Sequence, residues 1–330
     1  MARSDQVGAL VRSHNNGDDS EFRRTTEEII ADERRKRHDV VADQLEATLT
    51  EGATGRRPPQ VTSLRSLPKS RDELPLLSIA QPRRSVHDLV LPSSTRTLFD
   101  SLIAEFRMMS SLRAHGVEPR SSILLVGPPG CGKSASAEAL AGELGLPLAK
   151  VELSAIVSSF LGETARNLEQ IFNFVATGSW VLTFDEFDML GRERGDRADH
   201  GELKRVVAAL LQTIEGHNPD TLFVATSNHP TLLDSAVWRR FGEVIELKEP
   251  DETGRQQILE LKLQSVRHRA DLRRAAKETA GFSGAEVESV ALYAIRSMVL
   301  RIDKAVNDEH VAYGIERGAA RRRIIHTSQD

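Results

Sequence analysis

From about Val86 onward, apolar positions gather into short runs separated by amphipathic stretches. The runs at Ile123 to Val126, Ala149 to Leu153, Val181 to Phe184, Leu222 to Ala225 and Val244 to Leu247 lack sustained polar alternation. That pattern predicts five strands buried on both faces of a parallel sheet. Helical spacing fills the gaps: Leu98, Leu102, Ile103 and Phe106 before the first strand, then Ser134 to Leu144, Thr164 to Ala176 and Glu202 to Ile214. The prediction is an α/β fold with a doubly wound, parallel five-stranded sheet. After Pro250 the strand pattern disappears. Ile258, Leu259 and Leu263, then Val287, Val290, Ala291 and Ala294, predict a small all-helical lid domain.

Upstream the pattern is weaker. Residues 1 to about 20 are polar and predict disorder. Phe22, Ile29 and Ile30, then Val41, Leu45 and Leu49, predict an amphipathic helix or helical pair. Arg34 to His38 within it is a solvated helix face in preference to a nucleic-acid contact. Gly52, Gly55, Pro58, Pro59, Pro68, Pro75 and Pro82 mark a linker. The predicted organisation is a charged arm and linker over 1–82, the α/β domain over 83–250, the lid over 251–318 and a tail over 319–330.

Among 330 residues, 44 Lys and Arg stand against 48 Asp and Glu, a net charge of -4. Weak acidity argues against nucleic acid as a partner. A single cysteine, Cys131, excludes an intramolecular disulfide and suits a reducing compartment. There is no run of 18 apolar residues, and Met1 to Asp5 lacks the apolar core of a signal peptide. The expectation is a cytoplasmic protein with no membrane contact.

The chemistry concentrates at Gly127-Pro128-Pro129-Gly130-Cys131-Gly132-Lys133-Ser134, which fits G-x-x-x-x-G-K-[ST] between a predicted strand and a predicted helix. Glycines let backbone N–H groups turn around an anion, and the helix N-terminus adds a positive dipole end. Lys133 is expected on the β/γ-phosphates and the Ser134 hydroxyl on Mg2+, with Ala135 completing the stretch that touches ATP. A Gly-rich turn ahead of a helix is the plainer account, and the flanks disfavour it. Cys131, beside a lysine and a helix N-terminus, is either an unusually reactive thiol or an inert small residue.

The run Trp180 to Phe184 ends in Asp185-Glu186, where open α/β sheets place ligands. Asp185 is expected to face the Mg2+, and Glu186 to polarise the attacking water as a general base. Another strand ends at Asn228, which either hydrogen-bonds the γ-phosphate or water or caps the next loop. Arg239 and Arg240, before Phe241, form either a structural ion-pair site or fingers that reach a neighbour's γ-phosphate.

On these residues the chain from about Val86 to Gly318 resembles the AAA group of ATPases. Gly127 to Ser134 is similar to its Walker A motif and Val181 to Glu186 to its Walker B motif. Val224 to Asn228, through Leu233-Asp234 to Phe241, resembles the second region of homology. The resemblance implies that Asn228 is sensor 1 and that Arg239 and Arg240 act on the adjacent subunit of a ring. Phe282 to Glu286 resembles the lid motif that closes over adenine, which implies nucleotide contacts from Gly284 and Ala285. Ser159-Phe160-Leu161-Gly162-Glu163 resembles the pore loop that grips an extended polypeptide, with Phe160, Leu161 and Gly162 as its aromatic, hydrophobic and glycine positions. Gly191 to Gly201 would be a second channel loop.

Three features depart from the family pattern: Cys131 in the loop, a Thr183 hydroxyl within an apolar strand, and an N-terminal 85 residues without a recognisable substrate-binding domain. The resemblance implies a homohexameric, Mg2+-dependent ATPase that remodels or threads a protein client, with a partner protease as an extension. A nucleic-acid motor or loader and a nucleotide-gated scaffold are the rivals. The first lacks a basic channel loop and a DNA-binding motif; Glu186, Asn228 and the arginine pair speak against the second.

Overall fold

The computed structural model describes residues 24–26, 28–30, 34, 67–156, 163–190, 210, 220–233 and 235–327. The chain divides into two compact units, Met1–Gln60 and Val61–Asp330. In the first, the described residues are helical, as the spacing of its apolar residues predicts. Thr25, Thr26, Ile29 and Ile30 are buried there, and Arg24 pairs with Glu28 one turn on at 3.7 Å.

In the second unit the elements run β1 (Leu77–Ala80), α1 (Ser93–Arg107), α2 (Met109–Ala114), β2 (Ser122–Val126), α3 (Lys133–Leu144), β3 (Leu148–Val151) and α4 (Leu153–Ile156). They continue with α5 (Glu163–Val175), β4 (Val181–Phe184), β5 (Leu222–Ser227), α6 (Ser235–Trp238) and β6 (Glu243–Glu246). Among the described residues the sheet has six strands, in the order β1-β3-β4-β5-β2-β6. Five are parallel and correspond to the predicted runs. The five-stranded expectation is corrected by β1, an antiparallel edge strand that pairs Leu77 with Val151 and Ala80 with Leu148. It lies in the stretch read as linker. Its four residues carry only Leu77 and Ile79 as large apolar side chains, and Pro75 and Pro82 flank it. Prolines, which lack a backbone N–H, are tolerated beside an edge strand, where no second ladder calls for that donor.

Side chains of the central strands alternate between two cores, so both sheet faces are covered. Leu124, Val126, Leu182, Phe184, Phe223 and Ala225 face one layer, with Ile171, Phe172 and Val175 of α5. Ile123, Leu125, Val181, Val224 and Ile245 face the other, with Phe99 and Phe106 of α1 and Leu140 of α3. Thr183, the departure from an apolar β4, is buried and donates to the Ala149 carbonyl at 3.5 Å. The predicted helix from Glu202 to Ile214 lies outside the described residues apart from Leu210.

Four helices follow: α7 (Glu252–Leu263), α8 (Leu272–Glu278), α9 (Gly284–Leu300) and α10 (Asp308–Thr327). Leu259, Leu263, Val287, Val290, Ala291 and Ala294 form their core, as predicted. Asp251 caps α7 by accepting from the Gly254 amide at 2.7 Å. Ser283 and Glu286 close a reciprocal capping box on α9, with bonds of 2.7 and 3.4 Å. Helix α10 continues through residues 319–327, and Arg322 lies 5.5 Å from the ring centre of Phe282. Among the described residues no helix is long and apolar enough to cross a membrane.

Candidate nucleotide site

The loop from Gly127 to Gly132 turns out of β2 and into α3. Gly127 has φ 144°, and a Cβ there would stand 2.0 Å from the Leu247 carbonyl oxygen, so the position admits only glycine. The Gly127 amide donates to Ser227 on β5 at 3.3 Å, which ties the loop to the neighbouring strand end. The Ser136 amide, the fourth from the start of α3, donates back to Gly132 at 2.8 Å. Helix geometry leaves the amides before it for an anion.

Lys133 is buried, and its ammonium donates to the carbonyls of Gly127 and Pro128, both at 2.7 Å. Burial draws its pKa below the ordinary lysine value, while Cys131, Asp188 and Asp185 oppose the shift. Burial also pushes the Cys131 thiol up, more than the Lys133 charge lowers it. That favours the inert account of Cys131, because the thiolate is the nucleophile.

Across the loop, Asp185 Oδ1 accepts from Ser134 Oγ at 3.1 Å and from Thr226 Oγ1 at 3.2 Å. Glu186 follows in a left-handed backbone conformation, φ 55°, and its amide donates to the same Thr226 hydroxyl at 3.2 Å. Such a conformation costs a non-glycine residue roughly 1–2 kcal/mol. Held strain of this kind gathers at functional sites. Asp188, fully buried on the next turn, accepts from the Asn228 amide at 3.2 Å.

Thr226 and Asp188 are the residues that sequence reasoning missed. The available signals were a hydroxyl directly after the apolar run of β5 and a third carboxylate two residues after Glu186. Neither reads as a site without its cross-strand partner.

A cleft of about 660 Å³ opens between the loop and these strand ends, with Thr226 in its lining. Pro129 to Ala135, Asp185, Glu186 and Asn228 all reach it, as do Gly284 and Ala285 from the lid. Leu89, Val90, Leu91 and Ile258 supply an apolar wall. The Ala285 amide donates to the Gly130 carbonyl at 3.0 Å, so the first turn of α9 rests on the loop. The donor set fits Mg2+. One hydroxyl and one carboxylate lie together, and among the described residues no group of three or more His, Cys, Asp or Glu is placed to hold a metal. Mg2+ characteristically takes one or two protein oxygens and completes its shell from phosphates and water. The loop amides, the buried ammonium and the apolar wall suit a nucleoside triphosphate.

Arg239 and Arg240 follow α6 and do not line this cleft. Arg239 is exposed and Arg240 half-buried, while Phe241 packs into the core 6.0 Å edge-on to Phe187. The stretch Phe160 to Gly162, the Gly191 to Gly201 loop, and Asp234 lie outside the described residues.

Residues 123–249 match the family model described as "ATPase family associated with various cellular activities (AAA)". The chain is 37% identical over 324 residues to an uncharacterized AAA family ATPase, y4kL, of Sinorhizobium fredii, covering 98% of this chain and 97% of that protein. It is 36% identical over 204 residues to cell division control protein 48 homolog C of Arabidopsis thaliana, 57% of this chain and 25% of that one. It is 35% identical over 193 residues to the proteasome-activating nucleotidase of Pyrococcus horikoshii, 55% of this chain and 48% of that one. It thus spans nearly all of the first relative, a quarter of the second and about half of the third. With a near-full-length relative and the phosphate loop and strand ends of the cleft inside the matched segment, the chain belongs to the AAA family of ATPases and is an ATP hydrolase.

Proposed function

We propose that the chain is a ring-forming, Mg2+-dependent ATPase that remodels or threads a protein client. The observation that carries the nucleotide half of this reading is the hydrogen-bonded run Ser134–Asp185–Thr226–Glu186 in the cleft. In this reading the amides from Gly130 to Ala135, with Lys133, hold the phosphates, and Ser134 and Asp185 hold Mg2+. Glu186 polarises the attacking water, and Asn228 orients the water or the terminal phosphate. Bound Mg2+ supplies charge neutralisation on the transferred phosphoryl group. Gly284 and Ala285 close the lid side of the nucleotide.

The assembly half rests on Arg239 and Arg240. Charge on a transferring phosphoryl group calls for a cation beyond those of the cleft, and these two arginines lie outside their own cleft. A neighbouring copy in a homohexamer supplies what each subunit lacks. The client half rests on Phe160, Leu161 and Gly162, whose aromatic can wedge against any extended chain. The names of several relatives, which specify activation of a proteasome, support a protein client and, as a narrower extension, a partner protease. Residues 1–82 would recruit, 83–250 hydrolyse and 251–318 close over the nucleotide. The single cysteine fits a cytoplasmic setting.

The test compares the natural protein with Phe160→Ala for melting, assembly, ATP hydrolysis and processing of an unfolded polypeptide. The expected result is a stable ring that hydrolyses ATP and no longer remodels the polypeptide. Normal processing by a stable Phe160→Ala ring overturns the threading mechanism. Stimulation of the natural protein by DNA or RNA and not by polypeptide overturns the protein client.

A further inference from the structure

Strands β4 and β5 pair in register as far as Phe184 and Ala225. One step further, Asp185 would stand opposite Thr226, but the ladder stops there and the chain turns left-handed at Glu186, φ 55°. The Thr226 side chain takes over where the backbone pairing ends. Its hydroxyl donates to Asp185 Oδ1 at 3.2 Å and accepts from the Glu186 amide at 3.2 Å. The threonine is 3% exposed, and both bonds are part-buried at the wall of the cleft.

We infer that Thr226 is a positioning residue for hydrolysis, whose hydroxyl sets the rotation of the Asp185 carboxylate and holds the turn that presents Glu186. Asp185 Oδ1 receives two hydroxyls, Ser134 Oγ from the loop and Thr226 Oγ1 from β5. A carboxylate gripped on one oxygen from two sides loses its rotational freedom. The Glu186 amide, which the sheet ladder no longer serves, would otherwise be a polar group without a backbone partner. One side chain therefore links the cation-binding carboxylate, the general base and strand β5, which ends beside Asn228. An apolar residue of the same shape would fill the space and do neither task.

This inference rests on the roles assigned to Asp185 and Glu186. Thr226→Val keeps the shape and removes the hydroxyl, Thr226→Ala removes it without branching, and Thr226→Ser restores it. Partners that orient metal-binding groups typically contribute about 10–100-fold in affinity or activity. The Val and Ala proteins should therefore lose kcat on that scale, require more Mg2+ for half-maximal activity, and change little in KM for ATP. Affinity for a fluorescent ADP, titrated with and without Mg2+, supplies a reading free of turnover. The gain conferred by Mg2+ should shrink in Val and Ala and return in Ser.

Natural kcat and Mg2+ dependence in folded Thr226→Val or Thr226→Ala overturns the inference. So does a Ser protein as impaired as Val, or a series that differs only in melting temperature. Glu186→Gln, run alongside, separates the two readings. If it still turns over, the assignment of Glu186 fails. If it is inert while Thr226→Val is normal, the role of Thr226 fails.

Discussion

The Ala285 amide donates to the Gly130 carbonyl at 3.0 Å, joining the first turn of the lid helix directly to the phosphate loop. Gly130 has φ 79°, and a Cβ there would stand 2.7 Å from Ser283 Oγ. Its lack of a side chain thus serves both the loop's turn and the lid's approach. Gly130→Ala should introduce a left-handed strain of roughly 1–2 kcal/mol and push the lid outward as well. ATP affinity measured by titration should fall about tenfold or more, since each 1.4 kcal/mol is a factor of ten. Adding Ser283→Ala removes the oxygen in the way and should recover part of the affinity, leaving the backbone strain. Ser283→Ala alone, which loses only the α9 cap, is the reference, and a double variant no better than Gly130→Ala while Ser283→Ala alone binds ATP normally would show that the lid contact contributes nothing.

Lys133 and Glu186 should separate binding from turnover. Lys133→Ala removes the buried ammonium and should weaken nucleotide binding. Glu186→Gln keeps size and polarity and should bind ATP while hydrolysing it at least about 100-fold more slowly, the scale of a lost general base. Equilibrium binding and steady-state turnover on both variants check the pair. Near-natural hydrolysis by Glu186→Gln would refute its role.

Those two residues were legible in the sequence because each belongs to a contiguous stretch with a recognisable neighbour: Lys133 in a loop between strand and helix, Glu186 at the end of an apolar run. Strands β2, β4 and β5 were legible because burial at every position leaves largely apolar runs, while β3 and β6, which carry Lys150, Glu243 and Glu246, kept only a short apolar core. Strand β1 was not, because an edge strand of Leu-Ser-Ile-Ala needs only one well-covered side chain, Leu77, and its pairing with β3 lies about 70 residues away. Thr226 and Asp188 were hidden for a related reason. Their partners stand 40 to 41 residues away across the sheet, and no local spacing records a cross-strand hydrogen bond.

Acid should loosen the frame behind the loop through Glu105. Arg120 holds both Glu105 oxygens through Nε at 3.0 Å, contacts Glu243 on β6 through Nη1, and reaches Ser101 at 3.0 Å. It thereby fastens α1 to the strand beside the phosphate loop. Hydrogen bonds from Arg120 hold the Glu105 carboxyl below its ordinary range. A depressed carboxylate contributes stability that is present above its unfolded value, about 4.3 for glutamate, and is lost as pH falls through the lower folded value. Denaturant melts of Glu105→Gln should show a loss of about 1.5–3 kcal/mol at pH 7, the range for hydrogen bonds to charged groups. The gap to the natural protein should close below pH 4. A constant gap down to pH 3 would remove Glu105 as the source.

The arginines after α6 supply the remaining prediction. Arg239 is exposed, Arg240 is half-buried, and neither lines the cleft that contains Lys133 and Glu186. If they complete a neighbour's site, an Arg240→Ala subunit has an intact cleft but offers its neighbour no finger. A Lys133→Ala subunit has a damaged cleft and offers an intact one. Each variant alone should hydrolyse ATP slowly, by roughly 10³-fold or more for the lost arginine. In a mixture, sites formed by an Arg240→Ala cleft and a Lys133→Ala finger should recover turnover. Activity should rise with the proportion of mixed interfaces and peak near equal amounts, whereas action within one subunit predicts no recovery at any ratio. Labelled natural subunits that exchange between assemblies on the same timescale provide the control. If exchange is demonstrated and the mixtures stay inactive, Arg240 does not act across an interface.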